Sequence, residues 1–285
     1  MYPPKFDYYR VNSVAEAVSM LQQHSGAKVL AGGHSLIPVM NIRLADPGTL
    51  IDIGRIKDIK GISVQGNAVR IGALTTHAMV AASKDVPQVL SEAAGMIGDP
   101  QVRNRGTIGG NIAHADPASD LPTVLTALGA TIHVTGPGGN RAIAATDFFT
   151  GLFETALADG EIVIAVEVAK SGAGTGSAYA KLFNPASRYA MVGAAAVVTV
   201  SGGVCSAAGV AIGGLVPAAT RAKAVEAALV GKALDEATIS AAAAAVVNNL
   251  GDDVIGDIHA SAEYRRAMAP VMVKRALMSA VSRAK

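Results

Sequence analysis

The stretch Thr107-Ile108-Gly109-Gly110-Asn111-Ile112-Ala113-His114-Ala115-Asp116-Pro117-Ala118-Ser119-Asp120-Leu121-Pro122, taken with the earlier Leu30-Ala31-Gly32-Gly33-His34-Ser35, decides how this chain reads. Each segment sets a Gly-Gly pair before a residue able to cap a turn or a helix, a backbone that turns unpaired N–H groups toward an anion. Glycine suits both places, because a side chain would hold phosphate oxygens away from the amides and because the backbone there visits positive φ. Two such loops predict a clamp on one pyrophosphate, which makes a dinucleotide the first ligand to consider. A plain turn is the alternative reading of each, since turns are glycine's commonest use. Neither a Gly-x-x-x-x-Gly-Lys-Ser/Thr run nor a Gly-x-Gly-x-x-Gly run with a following acidic residue occurs, so a phosphate-loop ATPase and a Rossmann domain are disfavoured.

The 285 residues suffice for two or three compact units with a sizeable core. Hydrophobic residues make up 51%, yet no apolar run approaches the roughly 20 residues of a membrane span. With no secretory signal at its start, the chain is expected to be cytoplasmic. A net charge of +2 without a basic cluster, and 4% aromatics, argue against a nucleic-acid platform. Cys205 is the only cysteine, so the chain cannot ligate an iron–sulfur cluster or a thiolate zinc site by itself. Its expected role is a small buried hydrophobe. His34, His77 and His114 lack the spacing of a metal site.

Ser13-Val14-Ala15-Glu16 is a capping box that predicts a helix to about His24, followed by a strand at Lys28-Val29-Leu30, a helical turn from Ser35 and a second strand at Leu50-Ile51-Asp52-Ile53. Alternation about Gly66-Asn67 predicts a hairpin. Thr75 is expected to cap a helix; residues 86–96 and 121–128 read as further helices. A second hairpin is expected about residues 136–140, whose glycines are phosphate-loop candidates only if that turn reading fails. Ser171-Gly172-Ala173-Gly174-Thr175-Gly176 has no core-forming side chains and reads as a linker. Three β-rich runs (177–183, 190–200 and 205–213) and three helical ones (221–229, 237–248 and 262–282) follow, with Pro270 expected to kink the last. This order predicts an antiparallel sheet with helices on one face. Arg103 and Arg105 precede the second loop and are placed to reach phosphate; Arg105, next to Gly106, could equally fix the loop by hydrogen bonds to carbonyls.

The run from Ala31 through Ser35 to Leu36-Ile37-Pro38, with Arg43-Leu44-Ala45, and the run from Thr107 to Pro122 resemble the two flavin-binding loops of the FAD subunits of molybdenum hydroxylases, the family of the carbon monoxide dehydrogenase medium chain and the xanthine dehydrogenase FAD domain. Asp257-Ile258-His259-Ala260-Ser261-Ala262-Glu263-Tyr264-Arg265-Arg266 is similar to a segment of that family's C-terminal domain. By itself that segment reads as a solvated helix start with an internal ion pair, or as a contact for a partner subunit.

The resemblance implies an α+β fold: a two-subdomain FAD-binding domain of the vanillyl-alcohol-oxidase/PCMH type (residues 1–57 and 58–175), then a C-terminal domain of antiparallel sheet packed with helices (176–285). It implies FAD on Val29, Leu30, Ala31, Gly32, Gly33, His34, Ser35 and Leu36 and on Thr107, Ile108, Gly109, Gly110 and Asn111. Asp120 would meet the adenosine ribose, the main chain of Val163 the cofactor, Lys181 the flavin, and Tyr189 would lie close to the isoalloxazine ring. Without the resemblance, Asp120 reads as a helix cap, Lys181 as a solvated strand residue and Tyr189 as a half-buried aromatic. Ser187-Arg188-Tyr189 departs from the carbon monoxide dehydrogenase pattern, which has Gly-Asp before the aromatic. The implied function is an electron-transfer subunit. Its partners would be a small subunit with 2Fe-2S clusters and a large subunit with the molybdenum cofactor, in a dimer of heterotrimers. A self-sufficient flavin oxidase with FAD tethered at His34 is the alternative.

Overall fold

Three larger sheets, each with its own helices, and a two-stranded ribbon of Phe149–Gly151 with Glu154–Thr155 organise residues 2–284, which the computed structural model describes. In the first, Thr49–Asp52 lies between Asp7–Arg10 and Lys28–Leu30, all parallel. The helix Val14–Gln23 starts where the capping box predicts: Ser13 Oγ accepts the Glu16 N–H, and Glu16 reaches back to the Asn12 N–H. Ala17, Ile51, Ile53 and Ile59 form the small core beneath it. The edge strand Asp7–Arg10 carries no alternating pattern and is not legible in the sequence.

The second sheet is antiparallel, in the order Ile62–Gln65, Ala68–Gly72, Ile162–Ala169, Thr131–Gly136, Gly139–Ala144. Its outer pairs are the two expected hairpins, and within the Gly136-to-Asn140 segment Pro137-Gly138 is the turn while Gly136 pairs with Gly139. Ile162–Ala169 joins them, pairing with Ala68–Gly72 on one side and Thr131–Gly136 on the other. The helices Gln88–Met96, Ile108–His114 and Asp120–Leu128 cover one face and bury Leu90, Ile112, Leu121 and Leu125 against Ile132, Val134 and Val166. Thr76, not Thr75, caps the helix His77–Ala82. Thr75 is instead buried, its hydroxyl exchanging hydrogen bonds with the backbone of Gly61.

The third sheet runs Thr175–Phe183, Ala190–Ser201, Val204–Gly213, Thr220–Arg221, also antiparallel. Lys223–Leu229, Glu236–Ala244 and Ala262–Arg283 cover one face, where Ala242 and Ala243 are buried by close helix packing. The helix Ala262–Arg283 passes through Pro270 without a break, because Met272, Val273, Ala276 and Leu277 are anchored in the core beyond it. Cys205 is buried, as expected. Tyr179, Ala195 and Ala211 on the opposite face join the core of the second sheet, so that Asp120–Leu128 is covered from both sides. This is the expected α+β class, in which the last sheet is antiparallel and packed with helices.

Candidate cofactor site

A cavity of about 700 Å³ opens among the three sheets. The first supplies Leu30 to Leu36, the second His77, Gly106, Thr107, Gly109 to Asn111 and Val163, and the loop between the first two strands of the third supplies Ser187, Arg188 and Tyr189. Its wall is mostly apolar with a few polar groups, the usual make-up of a small-molecule site.

The first glycine segment follows the strand Lys28–Leu30 and leads into the helix Leu36–Asn41. The backbone N–H groups of Gly32, Gly33, His34, Ser35 and Leu36 have no acceptor among the described residues, although each of these residues lines the cavity. Gly33 sits at φ +75°, the left-handed region that glycine reaches at no cost. At Gly32 a Cβ would collide with the Arg105 carbonyl oxygen and come within 3.0 Å of Gly106 Cα, so the two glycine segments touch. His34 is exposed, its Nδ1 3.0 Å from the Gly32 carbonyl oxygen.

The second segment differs from the expected loop. Thr107 is an N-cap, and Ile108–His114 is a helix. Its first amides are all used internally: Ile108 N–H donates to Thr75 O at 3.0 Å, Gly109 to Ala73 O at 2.8 Å, Gly110 to Thr107 Oγ1 at 3.2 Å and Asn111 to Thr107 O at 2.9 Å. Gly109 is there because a Cβ would lie 2.8 Å from Ala73 O, a close approach between backbones. The Ile108 side chain belongs to the core and does not reach the cavity. What this segment turns toward the cavity is Asn111, whose Oδ1 accepts the Ser119 hydroxyl at 2.8 Å. Only the first segment therefore offers free amides, and the second is its wall.

Lys181 is also placed differently from both readings of the sequence. Its ammonium is 3% exposed, donates to Asp120 Oδ2 at 2.8 Å and to Met96 O at 3.3 Å, and does not line the cavity. Asp120 Oδ1 accepts the Tyr179 hydroxyl at 2.7 Å, so both carboxylate oxygens are engaged inward, where a ribose contact was expected. Ser119, not Asp120, is the residue before the helix. Burial pushes the Asp120 carboxyl up, opposed by Lys181 and Tyr179, and burial beside Asp120 raises the Tyr179 phenol well above its usual value.

Tyr189 is half-exposed at the cavity rim, held by a turn in which buried Asn184 accepts the Ala186 and Ser187 N–H groups. Partial burial, with Asp116 and Asp120 nearby, raises its phenol. Asp120 and Tyr189, which the resemblance assigns to opposite ends of the dinucleotide, thus share one end of the cavity. Val163 lines the wall beside a bulge in Ile162–Ala169. Arg103 anchors the chain before the second segment by donating to the carbonyls of Ile97 and Gly98, the role the sequence suggested for Arg105 and not for Arg103. His77, which the sequence offered only as a poor metal ligand, is buried in the cavity wall. Nothing in its local pattern beyond the Thr76 cap marks it.

Residues 4–170 match the FAD binding domain in molybdopterin dehydrogenase, and residues 177–280 match the CO dehydrogenase flavoprotein C-terminal domain. The chain is 42% identical over 289 residues to the carbon monoxide dehydrogenase medium chain of Hydrogenophaga pseudoflava, covering 99% of both. It is 39% identical over 290 residues to the 6-hydroxypseudooxynicotine dehydrogenase complex subunit alpha of Paenarthrobacter nicotinovorans, covering 100% of this chain and 97% of that one. Its fold superposes on the solved carbon monoxide dehydrogenase from Hydrogenophaga pseudoflava, in the form lacking the Mo-pyranopterin moiety, with a TM-score of 0.95, 44% identity and 99% coverage of both chains. Fold and cavity define a flavoprotein component of an oxidoreductase. The chain belongs to the family of FAD-binding subunits of molybdenum hydroxylases. Among the described residues no helix is long and apolar enough to cross a membrane.

Proposed function

We propose that the chain holds FAD in the 700 Å³ cavity, with the diphosphate on the N–H groups of residues 32–36, and that it forwards electrons from 2Fe-2S clusters of a small partner subunit to an external acceptor. Substrate oxidation then belongs to the molybdenum cofactor of a large partner subunit, in a dimer of heterotrimers. The observation that carries this reading is the run of amides without acceptors facing a cavity long enough to involve all three parts of the chain, which we divide at residues 1–57, 58–175 and 176–285. The residues fit the group: the Gly32 site admits no side chain, Gly33 needs its left-handed backbone, and the wall is mainly apolar.

When bound, FAD supplies an exchange between one-electron and two-electron carriers. The protein binds and orients it. The residue 32–36 amides position its anionic middle, Asn111 is fixed by Ser119 toward the Tyr189 end, and Tyr189 borders the rim through which an acceptor would approach. With Cys205 alone and buried, any cluster must take its thiolates from another polypeptide. Relatives of similar identity are named for carbon monoxide and for 6-hydroxypseudooxynicotine, which fits a substrate bound by a different subunit.

Capture of the native complex, followed by metal analysis and flavin extraction, tests this reading. Two further chains, molybdenum, iron and acid-released FAD are expected. A single chain that is catalytically complete and keeps its flavin after acid precipitation would establish the oxidase reading with its His34 tether.

A further inference from the structure

His77 opens the helix His77–Ala82 in the cavity wall and is 3% exposed. Its Nδ1 is sealed from solvent and has no hydrogen-bond partner, and no group among the described residues pairs with Nε2. Sealed Nδ1 can receive no ligand, whereas Nε2 lacks a partner among the described residues without being sealed, so Nε2 is the ring atom open to a partner in the ligand-sized cavity.

The surroundings indicate which part of a ligand that partner is. The ring lies against Gly106, where a Cβ would come 2.8 Å from Nε2, and the His77 N–H is fixed on Gly106 O at 3.0 Å. Gly106 in turn abuts Gly32, the first of the residues with free amides. His77 therefore stands at the seam between the two glycine segments, beside the run of unpaired N–H donors. Burial, helped by the nearby His34, holds the ring neutral by pushing its pKa down to about 4. A neutral imidazole carries one N–H and one lone pair. An orphaned N–H is rarer in proteins than an under-used acceptor, which assigns the lone pair to sealed Nδ1 and the proton to Nε2.

We propose that His77 is a direct ligand of the dinucleotide's diphosphate, its Nε2–H donating to a phosphoryl oxygen alongside the N–H groups of residues 32–36. The proposal rests on the FAD reading above and adds a side chain to a contact otherwise made by backbone alone.

The full chain, stripped of flavin, is titrated separately with FAD, ADP and riboflavin as wild type, His77→Phe, His77→Gln and His77→Asn. The Phe variant keeps the ring volume without an N–H; its affinity for FAD and ADP is expected to fall about tenfold or more, with riboflavin unchanged. Gln extends an amide N–H to the Nε2 position and recovers most of that loss, whereas the shorter Asn does not. The phosphorus resonances of bound FAD move between wild type and the Phe variant. If the Phe variant does not fold, the Gln–Asn comparison decides: Gln binding FAD and ADP more tightly than Asn supports the contact. Unchanged FAD affinity in the Phe variant, an equal loss for riboflavin, or Asn matching Gln overturns it. A wild-type chain that binds neither FAD nor ADP overturns the FAD reading itself and this proposal with it.

Discussion

Lys181 Nζ and Asp120 Oδ2 lie 2.8 Å apart with side chains only 3% and 5% exposed, an ion pair that ties the third sheet to the helix under the cavity. Tyr179, two residues along the same strand, donates to the other carboxylate oxygen. Removing one partner of a buried pair leaves an uncompensated charge and typically costs about 3–5 kcal/mol. Lys181→Met is therefore expected to lower stability by about 3 kcal/mol or more, and adding Asp120→Asn to recover much of it. Urea denaturation of the single and double variants reads this directly; additive losses would show that the pair is not coupled.

The buried His77 ring makes stability depend on pH. Its folded pKa is about 4 against an ordinary 6.5. Between those values the unfolded chain binds a proton that the folded chain refuses, so stability falls as pH drops from 6.5 to 4 and this contribution is constant above 6.5. The full loss is about 3 kcal/mol. In the apoprotein His77→Gln should flatten that part of the stability–pH curve, measured by denaturation at fixed ionic strength. A curve of the same slope in wild type and variant would place the dependence elsewhere.

Three glycines separate the tasks of the glycine segments. Gly32→Ala forces the Arg105 carbonyl and residues 31–35 apart, and its expected effect is loss of FAD affinity. Gly109→Ala drives a methyl into Ala73, and overpacking of this kind costs about 1–3 kcal/mol. Gly138→Ala meets nothing within 4 Å and should change neither FAD binding nor melting temperature. An FAD defect in Gly138→Ala would revive the hairpin turn as a phosphate loop.

Arg265 is buried and donates to Gly214 O and Ala260 O while pairing with Asp257. This is the internal ion pair foreseen in the charged 257–266 segment, reached through a deeply buried guanidinium. Arg265→Ala leaves the Gly214 carbonyl without a donor and Asp257 without its guanidinium, and should cost about 2–4 kcal/mol, seen as a lower urea midpoint, whereas exposed Arg275→Ala should cost under about 0.5 kcal/mol. Similar losses at both positions would mean that the segment is not anchored through Arg265.

Much of the fold was legible because its signals are local. The Ser13 cap, both hairpins and the small-residue run before the third sheet depend on residues a few positions apart. Ile162–Ala169 gave no such signal as a strand of this sheet, since its partners come from the distant residues 68–72 and 131–135, and its continuous apolar run fits several settings. The second glycine segment misled for a related reason. Gly-Gly lowers helix propensity, but the Thr107 cap and the Ala73 and Thr75 carbonyls supply what the helix start needs.

The amino-acid sequence alone determined the two glycine segments, the absence of cluster-forming cysteines and the succession of elements, because composition and short-range pattern carry those. Tertiary structure decided which amides stay free. It turned the second segment's donors inward, withdrew Lys181 and Asp120 into one another across 61 positions, and brought His77 beside Gly106. A hydrogen bond or a desolvated charge is settled by the group that arrives to meet it, and here those groups come from distant parts of the chain.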